Sequence, residues 1–515
     1  MTQTPHPAAP VRLADAPAEH VDVLIVGAGL SGIGAAYHLQ DKLPGSSYAI
    51  LEGRDAIGGT WDLFRYPGIR SDSDMFTLGY RFKPWTQAKA IADGPAILEY
   101  VTETAREHGI DRHIRFGHRV VSAAWSTDEA RWTVTAQRTD TGEEVRLTCD
   151  FFFCASGYYR YDEGFTPTFD GIDRFRGQLV HPQHWPEDLD YAGKRVAVIG
   201  SGATAVTLVP AMTDKAAHVT MLQRSPTYIM AVPGEDPIAK ALRRRLPARA
   251  AYTIVRWKNV AVTTALYRAS RRWPNRVRKL IRSLTVKQLP HGYDVDTHFK
   301  PKYDPWDQRL CVVPRGDLFE AIREGKASIA TDHIETFTEN GIRLASGTEL
   351  EADVVVTATG LNLLAFGGMQ LSVDGREVDL SDTMAYKGMM LSDVPNFAFA
   401  IGYTNASWTL KVDLVAEYVC RLLKHLQKTG TKICVPHNED PSVTPQPLLD
   451  FQAGYVLRSL DAFPRQGSKA PWRLSMSYPR DLMALRFGSI TDDGMRFTNP
   501  PARTAPAPPP AARAA

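Results

Sequence analysis

Residues 21–40 read VDVLIVGAGLSGIGAAYHLQ, and this stretch predicts the fold of the first third of the chain. It begins with a nearly continuous apolar run, Val21 to Val26, which is typical of a strand buried on both faces of a parallel sheet. The run ends in the glycine-rich loop 27–32, and small and apolar residues then follow at helical spacing. Strand, tight turn and helix therefore occur in the order that places a pyrophosphate at a helix N-terminus.

Each glycine of this loop has its own expected role. Gly27 permits the turn, Gly29 lets the backbone approach a pyrophosphate, and Gly32 allows close packing of helix on strand. A second strand, YAILEGR, ends at Glu52, where a carboxylate can accept hydrogen bonds from ribose hydroxyls. A glycine triplet alone would also suit an ordinary turn, but strand, loop, helix and distal acid together predict a dinucleotide with a free 2′-hydroxyl.

The same unit recurs at residues 194–212, KRVAVIGSGATAVTLVPAM, where Gly200, Gly202 and Ala205 lie between a strand and a helix. The next strand ends at Arg224 rather than at an acid. A cation there suits a 2′-phosphate, which a carboxylate would repel. The second site is therefore predicted to bind NADP(H) and the first FAD, with a solvated surface arginine as the alternative for Arg224.

These units predict an α/β protein with two Rossmann-like dinucleotide-binding domains, one for FAD and one for NADP, and a helical insertion. Buried-strand runs at 150–157 and 352–360 mark the places where the chain crosses between the two domains. Each domain is thus predicted to consist of two separate segments. The predicted order is a disordered tail (1–20), the first FAD-binding segment (21–170), the first NADP-binding segment (171–235), a basic helical insertion (236–300), the second NADP-binding segment (301–360), the second FAD-binding segment (361–499) and a disordered tail (500–515).

The positions of the cysteines argue against two kinds of site and one class of enzyme. All five are scattered without a CxxC spacing, so neither a disulfide framework nor a zinc site is expected, and a reduced, cytoplasmic setting fits best. Disulfide reductases with two dinucleotide domains need a redox cysteine pair near the first loop, whereas this chain has no cysteine before Cys149. Electrons from NADPH are therefore expected to pass to a diffusible acceptor or a bound substrate, with molecular oxygen as the leading candidate.

Two further stretches carry a resemblance to a known family. Residues 58–72, GGTWDLFRYPGIRSD, and residues 175–186, FRGQLVHPQHWP, resemble the flavin-contact segment and the F-x-G-x-x-x-H-x-x-x-W fingerprint of type I Baeyer–Villiger monooxygenases. Flavin-containing monooxygenases that oxidise nitrogen and sulfur are similar but typically lack the tryptophan, so Trp185 favours the Baeyer–Villiger branch. The heteroatom-oxidising enzymes remain the alternative.

The resemblance spans roughly residues 21–500 and implies a reaction. NADPH would reduce FAD, oxygen would give a C4a-peroxyflavin, and this peroxide would convert a ketone to an ester or lactone. Within the family the chain also resembles members that act on thioamides, which implies oxidation of sulfides and thioamides at sulfur as well. The implied partners are thus a small ketone or sulfide and O2.

The resemblance also implies catalytic residues. Arg309, in the segment YDPWDQR, matches the arginine that stabilises the peroxide, and Asp72 matches the carboxylate that holds this arginine in position. A structural salt bridge for Arg309 and a turn or cap for Asp72 are the alternatives. Many relatives have lysine where this chain has Gln308, so its NADPH preference would rest more on Arg224.

The fingerprint residues Phe175, Gly177, His181 and Trp185 are expected to organise the connection into the NADP domain, with Gly177 as a hinge. A buried histidine in a rigid linker is the alternative. In addition, the helix after residues 402–408 is expected to point its N-terminal amides at the flavin, although Trp408 suits core packing as well. The predicted cofactor-binding residues are Gly27, Gly29, Ser31, Gly32, Glu52, Gly59, Thr60, Trp61, Asp62, Arg70, Ser71, Asp72 and Val120 for FAD, and Gly200, Ser201, Gly202, Ala203, Thr204, Ala205, Arg224 and Ser225 for NADPH.

Charge is distributed unevenly along the chain. Residues 237–293 contain fifteen Lys and Arg and no Asp or Glu, although the whole chain carries only +3. A solvated outer face over a helical, substrate-lining domain is the favoured interpretation. Peripheral contact with anionic lipid comes second, and nucleic-acid binding, which is not expected, comes last.

Overall fold

The computed structural model describes residues 18–308, 310–449 and 454–501, except for the side chain of residue 455. Strand β1 begins within the tail predicted for residues 1–20, because its ladder with a later strand starts at the pair Glu19 and Leu147; that end of the predicted tail is wrong. The rest of both predicted tails, up to residue 17 and from residue 502, lies outside the described residues. The first elements are β1 (Glu19–Val26), α1 (Leu30–Lys42), β2 (Tyr48–Leu51), α2 (Thr60–Leu63), α3 (Met75–Leu78), α4 (Gly94–Glu107), β3 (Ile114–Arg115), β4 (His118–Ser126), β5 (Arg131–Arg138), β6 (Glu144–Cys154) and β7 (Tyr159–Gly164).

The middle of the chain contains a second set of strands, interrupted by helices. Its elements are β8 (Gln178–Val180), β9 (Arg195–Ile199), α5 (Ala203–Met212), β10 (His218–Gln223), β11 (Ile229–Val232), α6 (Pro237–Arg243), α7 (Ala248–Arg272), α8 (Pro274–Val286), α9 (Val295–His298), β12 (Cys311–Pro314), α10 (Asp317–Arg323), β13 (Ala327–Thr331), β14 (Ile334–Thr338), β15 (Gly341–Leu344), β16 (Glu349–Glu351), β17 (Val354–Thr357) and β18 (Leu361–Leu363). The four consecutive helices α6 to α9 confirm the predicted helical insertion.

The remainder of the chain returns to the first sheet. It contains β19 (Gln370–Val373), β20 (Arg376–Glu377), β21 (Ala385–Tyr386), β22 (Met390–Leu391), β23 (Phe397–Phe399), α11 (Trp408–Thr429), β24 (Ile433–Pro436), β25 (Pro445–Pro447), α12 (Gly454–Leu457), β26 (Arg465–Gly467), α13 (Tyr478–Asp481) and β27 (Met495–Thr498). Short 3-10 turns lie at Ile110–His113, Ile172–Arg174, Pro182–His184, Ala365–Gly368, Leu380–Asp382 and Leu460–Ala462, and a π-helical turn lies at Leu482–Phe487.

The first sheet has a Rossmann core. Its strands β3, β2, β1, β6 and β23 lie side by side and are all parallel. Strand β6 is long enough to pair with two strands along one edge. Its first half pairs antiparallel with β5, and its last residues pair parallel with β23. Strands β5 and β6 thus add an antiparallel ladder to the parallel core.

The second sheet is fully parallel, in the order β13-β10-β9-β17-β8. Helix α5 follows β9 in the same way that α1 follows β1, so each sheet has a strand, glycine loop and helix at its centre. Where the chain passes between the sheets, β7 and β18 pair antiparallel. The predicted fold class, with two Rossmann-like units, is confirmed.

The helical insertion is anchored on the first half of the molecule by a buried cation. Arg256 of α7 is 4% exposed. Its Nη1 donates to the carbonyl oxygens of Phe76 and Gly79, each at 2.8 Å, and its Nη2 lies 3.7 Å from Oδ2 of Asp413 on α11. Although Arg256 belongs to the basic block of residues 237–293, it is therefore a structural residue and does not contribute to a solvated face.

Among the residues that the structure describes, no helix combines the length and the apolar character needed to cross a bilayer.

We expect Arg256→Met to lower the free energy of unfolding by about 3 kcal/mol, because it leaves the buried Asp413 without its nearby cation and two carbonyls without a donor. Chemical denaturation followed by circular dichroism measures this change. Arg249→Met on the exposed side of the same helix is the control, with an expected change within about 0.5 kcal/mol. Equal stabilities of the two variants would contradict the anchoring role.

Candidate active site

The first glycine loop has the geometry that a pyrophosphate requires. Gly27 has φ +100°, and a Cβ there would lie 2.7 Å from the carbonyl oxygen of Ala155. A Cβ on Gly32 would overlap the carbonyl oxygen of Gly27, so helix α1 can approach β1 only without a side chain here. At Gly29, in contrast, a Cβ would make only ordinary van der Waals contacts, the nearest with Gly59 Cα at 3.7 Å. The space in front of the α1 N-terminus is thus open to a ligand.

Glu52 lies where β2 ends, and backbone amides hold both of its carboxylate oxygens. The N–H of Ala28 donates to Oε2 at 2.6 Å, and the N–H of Arg54 donates to Oε1 at 3.0 Å. Burial raises the pKa of Glu52, and these two hydrogen bonds oppose that shift. The carboxylate is therefore fixed beside the glycine loop, as a contact to ribose requires.

A cavity of about 530 Å³ extends from this loop toward the second sheet. Its volume falls within the range of cofactor sites. Most of the residues predicted for FAD line it, together with two residues of the second loop and one of the fingerprint: Gly27, Gly29, Ser31, Glu52, Gly59, Thr60, Trp61, Arg70, Ser71, Asp72, Val120, Ala203, Thr204 and His181. The structure thus brings together segments that are distant in sequence.

Asp62 does not line this cavity and instead fixes a residue that does. Its buried carboxylate forms an ion pair with Arg54, which lines the cavity, and a second one with Arg65 at 3.1 Å. Gly32 does not line the cavity either, because it lies where α1 packs against β1. Arg70 lines the cavity, and its guanidinium is paired with Asp317 at the start of α10.

The second glycine loop repeats the geometry of the first. Gly200 has φ +136°, and a Cβ there would overlap the carbonyl oxygen of Ala358. At Gly202, which precedes α5, a Cβ would meet no heavy atom of the described residues within 4 Å apart from its immediate chain neighbours. Ser201 Oγ donates to the carbonyl oxygen of Ser225 at 3.2 Å, which ties the loop to the end of β10.

Several predicted NADP residues lie outside the cavity wall. Arg224 and Ser225 are exposed beyond the end of β10, and Ala205 is fully buried in α5. The free space at Gly202 and the exposed cation after β10 leave room for a phosphate-bearing ligand along this edge, so these residues fit an NADP group.

The fingerprint residues separate into packing and polar roles. A Cβ on Gly177 would overlap the ring of Phe175, and Phe175 packs edge-on against Phe337. His181 Nδ1 accepts from the N–H of Gln183 at 3.2 Å, which leaves the proton on Nε2, 3.3 Å from the carbonyl oxygen of Gly360. Burial lowers the pKa of His181, so its ring is neutral near pH 7.

These contacts place His181 at the crossing between the two sheets, because Gly360 directly precedes β18. Trp185 is partly buried and packs against the core of the second sheet. A hinge at Gly177 stays a prediction, since its contacts explain the need for glycine by packing alone.

A second cavity of about 1620 Å³ adjoins the first. Asp72, Ser73, Val312 and Ala406 line both cavities. Helix α7 supplies one apolar wall of the larger cavity through Val260, Val262 and Leu266. Arg309, the predicted catalytic residue, lies outside the described residues. Its predicted partner Asp72 is described and stands where the two cavities meet.

Sequence reasoning missed a group of tyrosines. Tyr158, Tyr159 and Tyr161 follow the buried strand β6 and line the first cavity, and burial raises the pKa of Tyr161 to about 12. An aromatic run directly after a buried strand, at the sheet edge that binds ligands, could have indicated them. Trp408, at the N-terminus of α11, also lines this cavity and donates from Nε1 to Ser31 Oγ at 2.8 Å.

Comparisons with known proteins agree with this geometry. The family model "Flavin-binding monooxygenase-like" matches residues 90–435, and an NAD(P)-binding Rossmann-like domain matches residues 25–88. The chain belongs to the flavin-binding monooxygenase-like family. The prediction of a flavin monooxygenase is thereby confirmed.

Two relatives and one solved structure illustrate the similarity. The FAD-containing monooxygenase EthA of Mycobacterium tuberculosis is 61% identical over 94% of this chain and 99% of its own length. The putative FAD-containing monooxygenase MymA of the same species is 51% identical over 93% of this chain and 98% of its length. An oxidised steroid monooxygenase bound to NADP shares the fold with a TM-score of 0.71 at 22% identity, covering 93% of this chain and all of that one.

We expect Gly29→Ala to weaken flavin binding about tenfold to a hundredfold, because its Cβ would hold a pyrophosphate away from the backbone amides and cost one or two charge-assisted hydrogen bonds. Titration of the apoprotein with flavin, followed by fluorescence, measures the affinity. The stability of the apoprotein should change by less than about 0.5 kcal/mol, since the new methyl group makes only ordinary contacts.

Gly45→Ala is the matched control for this substitution. Gly45 lies between α1 and β2, and a Cβ there would meet no heavy atom of the described residues within 4 Å apart from its immediate chain neighbours. Wild-type affinity in Gly29→Ala, or an equal loss in both variants, would refute the assignment of this loop to the cofactor.

Proposed function

We propose that this chain is an FAD-containing, NADPH- and O2-dependent Baeyer–Villiger monooxygenase that converts ketones into esters or lactones. We further propose that it oxidises sulfides and thioamides at sulfur. The observation that carries the proposal is the position of Asp72: this one carboxylate lines both the cavity of the dinucleotide loops and the larger, mostly apolar cavity beside it. A cofactor in the first cavity and an apolar substrate in the second would meet there.

The first cavity suits FAD. The open α1 N-terminus would receive the pyrophosphate, and Glu52 would accept from ribose hydroxyls. Trp408 places the N-terminus of α11 at the same cavity, where helix amides favour negative charge. When bound, the reduced flavin supplies the activation of dioxygen that a monooxygenase needs.

NADPH would bind along the second glycine loop. The amides at the start of α5 face open space at Gly202, and Arg224 offers a cation for the 2′-phosphate. The neutral His181, hydrogen-bonded across the crossing between the two sheets, would hold the two halves in register as this ligand binds. Its role is thus positioning rather than proton transfer.

The second cavity would hold the ketone or sulfide. Its walls come from α7, from the segment after α11 and from the region around α13. Asp72 would position the guanidinium of Arg309, its predicted partner. A fixed cation beside the reacting carbonyl stabilises the negative charge that develops on oxygen.

We expect Arg309→Ala to reduce ester formation about 100-fold to 1,000-fold while NADPH still reduces the flavin at an unchanged rate. Ester yield by gas chromatography and anaerobic stopped-flow reduction measure the two steps separately. Asp72→Asn should lower ester formation less, because the arginine stays but loses its carboxylate partner.

The exposed Arg315 gives a control close by in the chain, and Arg315→Ala should retain full activity. An unchanged ester yield in Arg309→Ala would overturn the catalytic assignment. Sulfoxide formation by the wild-type enzyme without any ester, across a broad panel of ketones, would instead identify a heteroatom-oxidising monooxygenase.

We expect Arg224→Ala to raise the KM for NADPH about tenfold to a hundredfold and to leave the KM for NADH nearly unchanged, because only NADPH carries the 2′-phosphate. Steady-state flavin reduction with both nucleotides tests this. Arg343→Ala on β15 removes another exposed cation of the same half of the chain and should change neither value. Equal effects on NADPH and NADH would show that Arg224 does not read the phosphate.

A further inference from the structure

The outer side of the helical insertion exposes large apolar side chains. On α7, Ile254 and Trp257 are 48% and 47% exposed, and they lie three residues apart on one face of the helix. Val262 of the same helix is 59% exposed, and on α8 Leu280 is 55% exposed. We call the exposed surface of residues 244–287, which include α7 and α8, the insertion face. An apolar surface of this kind marks a binding surface more often than a solvated one.

The cations of the insertion face divide into two groups. Four are paired with acids that flank the basic block: Lys258 with Asp236, Arg271 with Asp307, Arg278 with Asp304 and Arg282 with Asp296. Others are exposed and form no salt bridge within the described residues: Arg244, Arg245, Arg249, Arg268, Arg272, Arg276, Lys279 and Lys287. The block itself contains no acid to neutralise them. The insertion face is therefore both apolar and strongly positive.

The second cavity opens at this face. Val262, Arg268 and Leu457 line the cavity and are also exposed, so they mark its opening. Glu235, an exposed acid that also lines the cavity, lies 3.5 Å from Lys240 and is balanced by that cation. A ligand that enters the cavity through this opening must pass the apolar and cationic surface first.

We propose that the insertion face docks on an anionic lipid bilayer and that apolar substrates enter the second cavity directly from the membrane. The surface combines the two properties that bind an interfacial helix: apolar side chains that reach the acyl boundary and cations that meet lipid phosphates. Substrate entry rests on the proposed function, whereas docking itself does not.

Other occupants fit the surface less well. Nucleic acid would be held by the cations, but large exposed aliphatic side chains such as Ile254 and Leu280 add nothing to phosphate contacts. A second copy docked through the same face would bring one block of unpaired cations against another, which like-charge repulsion opposes. Anionic lipid alone satisfies the charge and the apolar surface together.

The docking test measures co-sedimentation of the flavin-loaded enzyme with vesicles. Two vesicle compositions are compared, pure phosphatidylcholine and an equimolar mixture of phosphatidylcholine and phosphatidylglycerol. We expect binding to the mixed vesicles that falls with rising salt, and much weaker binding to the neutral ones. Since each cation near an anionic surface is worth roughly fivefold in partitioning, the combined substitutions Arg244→Gln, Arg245→Gln, Arg249→Gln and Arg272→Gln should weaken binding at least about 100-fold.

A matched variant removes the same charge elsewhere. Arg106→Gln, Arg146→Gln, Lys424→Gln and Lys428→Gln neutralise four exposed cations outside the insertion and should bind as the wild type does. Ile254→Ser with Trp257→Ser tests the apolar contribution and should weaken binding without a change in charge. Equal vesicle binding by the two charge variants would overturn docking through the insertion face. Two results with the wild-type enzyme would also overturn it: binding to a mixed-sequence DNA duplex but not to vesicles, and dimerisation without vesicle binding.

Substrate entry has a separate readout. With a long-chain ketone dissolved in mixed vesicles, the variant lacking the four insertion cations should turn over at a fraction of the wild-type rate. With a short, water-soluble ketone the two enzymes should be equally fast. Equal rates on the vesicle-borne ketone would refute entry from the membrane, even if the variant no longer binds vesicles, and would leave the proposed oxygenation intact. If the wild-type enzyme oxygenates no ketone or sulfide, the proposed function is refuted. The docking result does not depend on that outcome.

Discussion

A buried carboxylate, Asp413 on α11, holds together the elements that form both cavities. Its Oδ1 lies 3.2 Å from Nε2 of His38 on α1, and its Oδ2 accepts from the N–H of Arg81 at 3.2 Å. Arg256 of the insertion adds the nearby cation. Burial alone would raise the pKa of Asp413, but its hydrogen bond with His38 and its electrostatic interactions with His38 and Arg256 lower it. A buried charge is stable only with such partners. Helices α1, α7 and α11 therefore cannot separate without leaving the Asp413 carboxylate exposed or unpaired.

The helical insertion also holds the segment before α3, which lies at the meeting point of the two cavities. Asp74 precedes α3, and burial of its carboxylate raises its pKa. It accepts hydrogen bonds from the N–H of Thr77 at 3.1 Å and from Asn259 of α7 at 2.7 Å. Asp72 lies two residues earlier. Helix α7 of the insertion therefore holds the segment that contains Asp72. The same helix thus forms a wall of the substrate cavity and fixes the proposed positioning carboxylate.

The sequence predicts those features of the molecule that depend on local pattern. Gly27, Gly32 and Gly200 are required by a strand, loop and helix that recur with the same spacing, so spacing alone indicates them. The structural role of Arg256 could not be predicted in this way, because its carbonyl partners Phe76 and Gly79 are distant in sequence and most cations of the basic block are exposed. The larger cavity escaped prediction for the same reason, since its walls come from several separate segments.

The basic block shows how one composition serves two structural purposes. Cations that face inward or toward the ends of the block find partners: carbonyl oxygens for Arg256 and flanking acids for the salt-bridged residues. An acid within the block could compete for these cations and would neutralise the outer face. The absence of Asp and Glu from residues 237–293 thus lets the acids on either side tie the helices down, while the outward cations keep their charge. Anchoring and an electropositive surface at the cavity opening follow from the same arrangement of charges.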